Sequence, residues 1–389
     1  MALDVPGLLL ALPLALVLPL AAQERPPREA RLPHDPDHLA RLGRTERASA
    51  ALQLGLAWLA AHQSEDGRWD ADGFMAHDVE GRPPCDGRGR ATHDVGLTGL
   101  ALLAVLSNGS TMRFGPYRNV VKKGVMWLRE QQDATSGLFG AASSNEFVYD
   151  HAIATLAMVE AYGLSDYKLL KRNAQAGLDY LERHRNPFLV WRYQPRDGDN
   201  DTSVTAWCSL ACVAGKHFKL DVSASAFDTT RTWLDQMTDP ATGRTGYTER
   251  GGFSSRRTGD HATRFPRERG ECMTAVALAL RPQLGGAPLP EAFADRQRAR
   301  LAAKLPAWRT EDGSIDEIYW LFGTMAHAPL DDARAEAWRR AVLAALGSSQ
   351  RDDGNFRGSW DPIGVWGEDG GRVFSTALAC WTLKLALSR

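Results

Sequence analysis

Three carboxylates fall within five residues at Asp197-Gly198-Asp199-Asn200-Asp201, directly ahead of Thr202-Ser203 and an apolar run. Carboxylates this close raise one another's pKa, so Asp199 or Asp201 can hold its proton and serve as a general acid. An ordinary structural role competes with that chemistry. Asp201 or Thr202 caps the following helix, and Asp197 and Asp199 belong to a polar turn. Two acid–imidazole neighbours, His93-Asp94 and Asp150-His151, offer a second kind of chemistry, because a carboxylate can orient an imidazole for general-base work. Adjacent residues of a helix do not face one another, so a working pair must form between helices. Otherwise a histidine at a helix start is polar filler, and Asp94, Asp150, Asp201 and Asp316 are N-caps or first-turn acids.

Arginine supplies a third possibility. Residues 251–270 carry Arg256, Arg257, Arg264, Arg267 and Arg269 against Asp260 and Glu268, which reads as an anion clamp with Arg264 and Arg267 as ligand contacts or as a solvated loop. Tyr149 and Tyr319 stand beside the acids at helix starts. Trp207, Trp320 and Trp381 fall within apolar helical runs and Trp366 in a long loop, all four being candidates to line a pocket. Of the five cysteines, Cys208, Cys212, Cys272 and Cys380 sit in apolar runs as small hydrophobes. Cys85 lies in a Gly/Pro-rich loop, as an unpaired surface residue or a reactive thiol. No metal set and no cofactor motif emerges.

The elements that must position these groups repeat along the chain. GLAWLAAHQSEDGRW has Leu59 four residues before Gln63, then Gly67 and Trp69. GVMWLREQQDATSGLF repeats it with Leu128, Gln132, Gly137 and Phe139, and LAALGSSQRDDGNF with Leu346, Gln350, Gly354 and Phe356. Weaker copies surround Leu181, Leu234 and Leu305, making six units over residues 45–389. Each marker leucine lies on an amphipathic helix. Each such helix is followed by one apolar all round: 95–106, 151–164, 203–215, 272–280, 318–326 and 374–383. A helix without a polar face is buried on every side. Alternating outer and inner helices therefore predict an all-α (α/α)6 toroid, a double-walled ring of six helical hairpins. Connections from outer to inner helices share one rim, and those at 71–92, 251–270 and 358–371 have the length of functional loops.

Residues 7–22, GLLLALPLALVLPLAA, have the length and polar sequel of a secretory h-region. Segment 1–22 is thus expected to be a signal peptide, with a retained anchor as its rival, and 23–44 a Pro/Arg-rich linker. The protein is expected in the secreted or periplasmic/cell-envelope space. With 46 basic against 47 acidic residues, phosphate neutralisation cannot lead binding, so nucleic acid is not an expected partner. Twelve Trp exceed eight Tyr, which the repeats explain in part: Trp58, Trp127 and Trp233 share one repeat position, and Trp69 and Trp191 lie under turns.

Gln63-x-x-x-Gly67-x-Trp69 and Gln350-x-x-x-Gly354-x-Phe356 resemble the QW motif of squalene and hopene cyclases and, more loosely, of protein prenyltransferase β subunits. Over nearly all its mature length the chain resembles the prenyltransferase/squalene-oxidase repeat proteins. In the cyclases of this superfamily the middle Asp of Asp-x-Asp-Asp-Thr-Ala protonates an alkene. Aligned on Thr202-Ser203, that donor falls on Asn200, which cannot act as an acid, so the resemblance implies a displaced donor at Asp199 or Asp201. Those cyclases also place the site between two toroids, and this chain has one. The prenyltransferases hold zinc through Asp-x-Cys and a later His. Gly270 replaces the Asp before Cys272, and His327 lies at a helix end, so zinc chemistry is not expected.

Three functions follow as expectations. The first is an exported toroid binding a hydrophobic isoprenoid- or lipid-like molecule or a peptide, with an envelope protein as a potential partner. The second is a terpene-cyclase-type isomerase using a displaced Asp. The third is an extracellular lyase or hydrolase, with a carboxylate pair or His/Tyr at the rim and the Arg loop holding an acidic polysaccharide.

Overall fold

The structure, a computed structural model, describes residues 43–388. The expected export segment 1–22 lies outside them, as does all but the end of the linker. In chain order the helices are α1 (Arg44–Ala61), α2 (Asp94–Ser107), α3 (Arg118–Glu130), α4 (Phe147–Ser165), α5 (Lys171–His184), α6 (Thr202–His217) and α7 (Ala224–Met237). There follow α8 (Asp260–Arg264), α9 (Cys272–Leu280), α10 (Glu291–Ala302), α11 (Glu317–His327), α12 (Ala333–Ser349) and α13 (Gly367–Leu387). Among the described residues there are no strands, only isolated bridges at Gln132–Phe139 and Thr238–Thr245. No helix among them is long and apolar enough to cross a membrane.

The inner wall is a closed ring. Helix α2 packs on α4, α4 on α6, α6 on α9, α9 on α11, α11 on α13, and α13 returns to α2. Small residues on these helices set the spacing: a Cβ at Gly99 would crowd the backbone of Ala154, so Gly there lets α2 and α4 approach closely. Helices α1, α3, α5, α7, α10 and α12 form the outer wall, each burying an apolar stripe. In α3 that stripe is Val121, Val125 and Leu128, while Lys122 and Lys123 face water. The all-α (α/α)6 toroid is therefore the observed fold.

The repeat motif holds neighbouring hairpins together. Gln63 Nε2 donates to Gly67 O at 2.8 Å and to Val120 O of α3 at 3.0 Å. Gln132 donates likewise to Gly137 O and to Asn173 O of α5, both at 3.0 Å. Trp69 and Trp191 tuck under their turns, with each indole N–H donating to the marker carbonyl of Leu59 or Leu181 at 2.7 and 2.8 Å.

Two repeat assignments shift. Gln350 donates to Gly358 O at 2.9 Å and to Ala51 O at 2.7 Å, and the indole of Trp360, not Phe356, reaches Leu346 O at 3.0 Å. A 3-10 turn at Gly354–Phe356 is inserted ahead of the true turn, so Gly358 and Trp360 stand where Gly354 and Phe356 were expected. In the hairpin of α10 the fully buried marker is Leu301, whereas Leu305 is 37% exposed because the helix has already ended at Ala302.

The ring closes through the 71–92 loop. Arg372 is buried at the start of the straight part of α13, where its guanidinium meets Asp86 at 2.5 Å, Asp361 at 2.8 Å and Ser359 Oγ at 3.0 Å. Just before it, Gly371 adopts φ 67°, a kink that adds an extra turn ahead of the expected start of this helix.

Candidate functional site

The inner helices all begin at one rim, and there they enclose a cavity of about 350 Å³. Each inner helix contributes an apolar wall residue: Leu97 and Leu100 from α2, Ile153 from α4, Trp207 from α6, Met273 from α9, Ile318 from α11 and Phe374 from α13. Leu100, Ile153 and Trp207 lie one to two turns inside their helices, so the apolar surface forms the depth of the cavity. The mouth is different in kind. It carries His93, Glu146, Tyr149, Asp150, Tyr193, Arg256, Arg257, Asp316, Trp366 and Asp369.

His93, Asp150, Arg256, Arg257, Asp316 and Asp369 at the mouth are paired. His93, at the N-cap of α2, brings Nδ1 within 3.2 and 3.1 Å of the two oxygens of Asp150, in the first turn of α4. This is a partnership between helices, as the sequence argument requires. Burial opposes a charge on His93, but the Asp150 carboxylate, with Asp369 and Glu146 farther off, outweighs it and raises the imidazole pKa. Burial also raises Asp150, against the pull of His93. Both shifts favour a proton held by the pair. Gly96 makes room for it, since any side chain there would strike the Asp150 carboxylate.

Across the mouth, Arg256 pairs with Asp316 at 3.1 Å, both nearly fully buried, and Asp316 also caps α11 by accepting from Tyr319 N at 3.0 Å. Arg257 and Arg90 both pair with Asp369. His261 holds this loop in place: its Nδ1 accepts from Arg257 N at 3.2 Å, and its Nε2 donates to Val365 O at 2.8 Å.

The remaining candidates take other places. Asp201 caps α6, accepting from Val204 N at 2.7 Å and from the Tyr247 hydroxyl at 3.2 Å. Tyr247 meets the Tyr193 hydroxyl at 2.8 Å, so Asp201 sits one layer behind the wall formed by Tyr193 and Tyr149; burial pushes its carboxyl up to about 7. Asp199 is 70% exposed and pairs with Arg192 at 3.4 Å. His151 is fully buried under a repeat turn, accepting from Phe139 N at 3.0 Å and donating to Gly177 O at 3.2 Å; burial pushes its pKa down to about 3. Tyr319 donates to Lys304 O at 3.0 Å, and Trp320 packs on Trp308 behind the wall. Trp381 faces a separate small hollow with Leu103, Leu106 and Glu160. Arg264 pairs with exposed Glu368 at 2.5 Å, and Arg267 lies over the Phe253 ring, both away from the cavity. Of the residues named from sequence, His93, Tyr149, Asp150, Trp207, Cys272, Asp316 and Trp366 line the cavity, together with two of the loop arginines. The arginines that reach it are Arg256 and Arg257.

The prenyltransferase zinc set does not assemble at the mouth. Cys272 lines the cavity with Asp316 near it but belongs to no group of three ligand residues among those described, and Glu271 is held by Arg244, Arg300 and Lys304. His327 ends α11 at the opposite rim. The His/Cys/Asp/Glu group found with metal-ligating geometry among the described residues, His62, Asp78 and Cys85, lies outside the cavity.

No protein-family model matches the chain, and no curated protein matches its sequence. Solved structures do share its shape. A type II terpene cyclase from Scytonema, in complex with geranylgeranyl dihydroxybenzoate, aligns with TM-score 0.55 at 15% identity over 88% of this chain and 98% of its own. An α-1,6-mannanase from Salegentibacter aligns with TM-score 0.56 at 12% identity over 89% and 99%. An α-amylase from Clostridium perfringens aligns with TM-score 0.54 at 10% identity over 86% and 97%. At such identities the likeness establishes the toroid fold, which hosts unrelated chemistries.

Proposed function

We propose that this is an exported ligand-binding toroid whose cavity takes an amphipathic molecule, an isoprenoid- or lipid-like chain ending in a polar or anionic head. The observation that carries this reading is the lining of the cavity, with an apolar side chain from each of the six inner helices, those of Leu100, Ile153 and Trp207 set in its depth, and the charged residues gathered at its mouth. An apolar chain gains by leaving water for such a surface, at roughly 25 cal/mol per Å². The head would meet Arg257, whose partner Asp369 is shared with Arg90. Mass spectrometry of organic extracts from protein purified out of its native envelope should find one lipid class in near-stoichiometric amount. A clean extract, together with no saturable binding of polyprenyl phosphate or fatty-acid probes, would overturn the reading.

A second reading, acid chemistry on such a chain, is favoured by the His93–Asp150 pair. It places a buried carboxyl, hydrogen-bonded to an imidazole, on the cavity wall, where Asp199 and Asp201 do not stand. Here the displaced acid is Asp150, oriented by His93. Incubation with polyprenes should then give isomeric products at unchanged mass, absent from Asp150→Asn. Lack of turnover across linear C15 to C30 polyprenes would leave binding alone.

A further inference from the structure

Away from the cavity, three potential ligands converge, one at the end of α1 and two from the loop that follows it. His62 stacks on Trp58, with ring centroids 4.0 Å apart, and its Nδ1 lies 2.8 Å from Trp58 O. A carbonyl only accepts, so Nδ1 carries a proton, and in the neutral tautomer the lone pair is on Nε2. That lone pair faces Asp78 Oδ1 at 3.2 Å. The space between these two atoms takes a cation, either a second ring proton or a metal ion. Cys85 Sγ completes the group, and the three donor atoms lie within 4.8 Å of one another. His62 and Cys85 are 5% and 6% exposed.

The supporting contacts are those of a prepared site. Asp78 Oδ2 accepts from Cys85 N at 2.6 Å, which ties the two loop ligands together. Asn355, buried, clamps the intervening loop by accepting from Val79 N at 2.9 Å and donating to Pro83 O at 3.0 Å. The His62 N–H on a backbone carbonyl is the outer contact that fixes tautomer and ring plane in metal-binding histidines. Tetrahedral zinc with N and O ligands at about 2.0–2.1 Å separates them by about 3.3 Å, close to the His62–Asp78 spacing.

We propose that His62 Nε2, Asp78 Oδ1 and Cys85 Sγ bind a zinc-class divalent ion, with the fourth position open to water. Binding forms three metal–ligand bonds and releases the Cys85 thiol proton to solvent; no electron moves. Mixed N, O and S ligands suit zinc rather than magnesium or calcium. The ion would pin the start of the loop that runs from Cys85 through Arg90 to His93, and so hold one side of the cavity mouth. This role is independent of what the cavity binds.

Cobalt(II) titration of the demetallated full chain provides the test. One equivalent should produce a thiolate-to-cobalt charge-transfer band in the near ultraviolet and visible d–d bands of tetrahedral intensity, both displaced by zinc. Cys85→Ser should abolish the charge-transfer band and Cys212→Ser should retain it. His62→Gln or Asp78→Asn should weaken cobalt binding by about tenfold or more, with the far-UV circular dichroism of each variant checked against the parent. Zinc should also raise the melting temperature of the parent but not of Asp78→Asn. No charge-transfer band in folded parent protein, or a band that survives Cys85→Ser, overturns the proposal.

Discussion

His93 Nδ1 lies 3.1 Å from Asp150 Oδ2, a contact from the cap of one inner helix to the first turn of the next, at the mouth of the cavity. The pair joins α2 to α4 exactly where the ring opens, and Gly96 is the residue that permits it. Gly96→Ala should displace the Asp150 side chain while leaving the ring closed. The expected result is loss of ligand binding, or of turnover, by tenfold or more with modest change in stability. Probe titration set beside urea unfolding would show it, and equal losses in both would mean the pair is only structural.

Arg257 and Arg264 stand seven positions apart in one loop, yet Arg257 reaches the cavity and Arg264 pairs outside it with Glu368. Arg257→Gln should weaken an anionic ligand by about five- to tenfold and an uncharged analogue much less. Arg264→Gln should change neither, since an exposed ion pair contributes roughly 0–1 kcal/mol. Isothermal titration of both variants with charged and neutral forms of one lipid separates these outcomes.

The turn glycines test the repeat register. Gly358 has φ 99° and faces Leu54 O so closely that a Cβ cannot fit, whereas Gly354 has φ 47° and a Cβ there would meet only Pro83 Cδ, at an ordinary 3.9 Å. Gly358→Ala should therefore cost about 1–3 kcal/mol or more through backbone strain and clash, and Gly354→Ala roughly 1 kcal/mol. Chemical denaturation of the two variants ranks them, and the opposite order would restore Gly354 to the motif.

The wall alternation was legible because polarity is written helix by helix: α3 has charges opposite its buried Val121 and Val125, while α2 has none beyond Asp94 at its start. The need for a pair across helices was legible too, from the geometry of adjacent residues, although sequence could not say that Asp150 would turn to His93 and His151 to the backbone of Gly177. Insertions hid the rest. The 3-10 turn at Gly354–Phe356 offered a glycine and an aromatic at motif spacing, and so disguised Gly358 and Trp360. The kink at Gly371 put Asp369 ahead of the apolar run that marks α13, which removed any helix-start signal from it. His62 and Asp78 meet only because a long loop folds back on α1, a fact that no local pattern carries.

Glu160 offers the clearest dependence of stability on pH. It is 6% exposed on α4, near Trp381, and burial alone pushes its pKa up to about 7 from an ordinary 4.5. A folded-state pKa above the unfolded one means that the folded protein holds a proton the unfolded chain has released. That contribution is complete below about pH 4.5 and is lost as pH rises through about 7. The neutral isostere Glu160→Gln removes the dependence. Relative to the parent, the variant should gain little at pH 4.5 and most at pH 8, with a difference on the order of 3 kcal/mol as an upper figure. Urea unfolding of both proteins at pH 4.5, 6 and 8 measures it, and a gain that does not change with pH would show that Glu160 is ionised within the fold throughout.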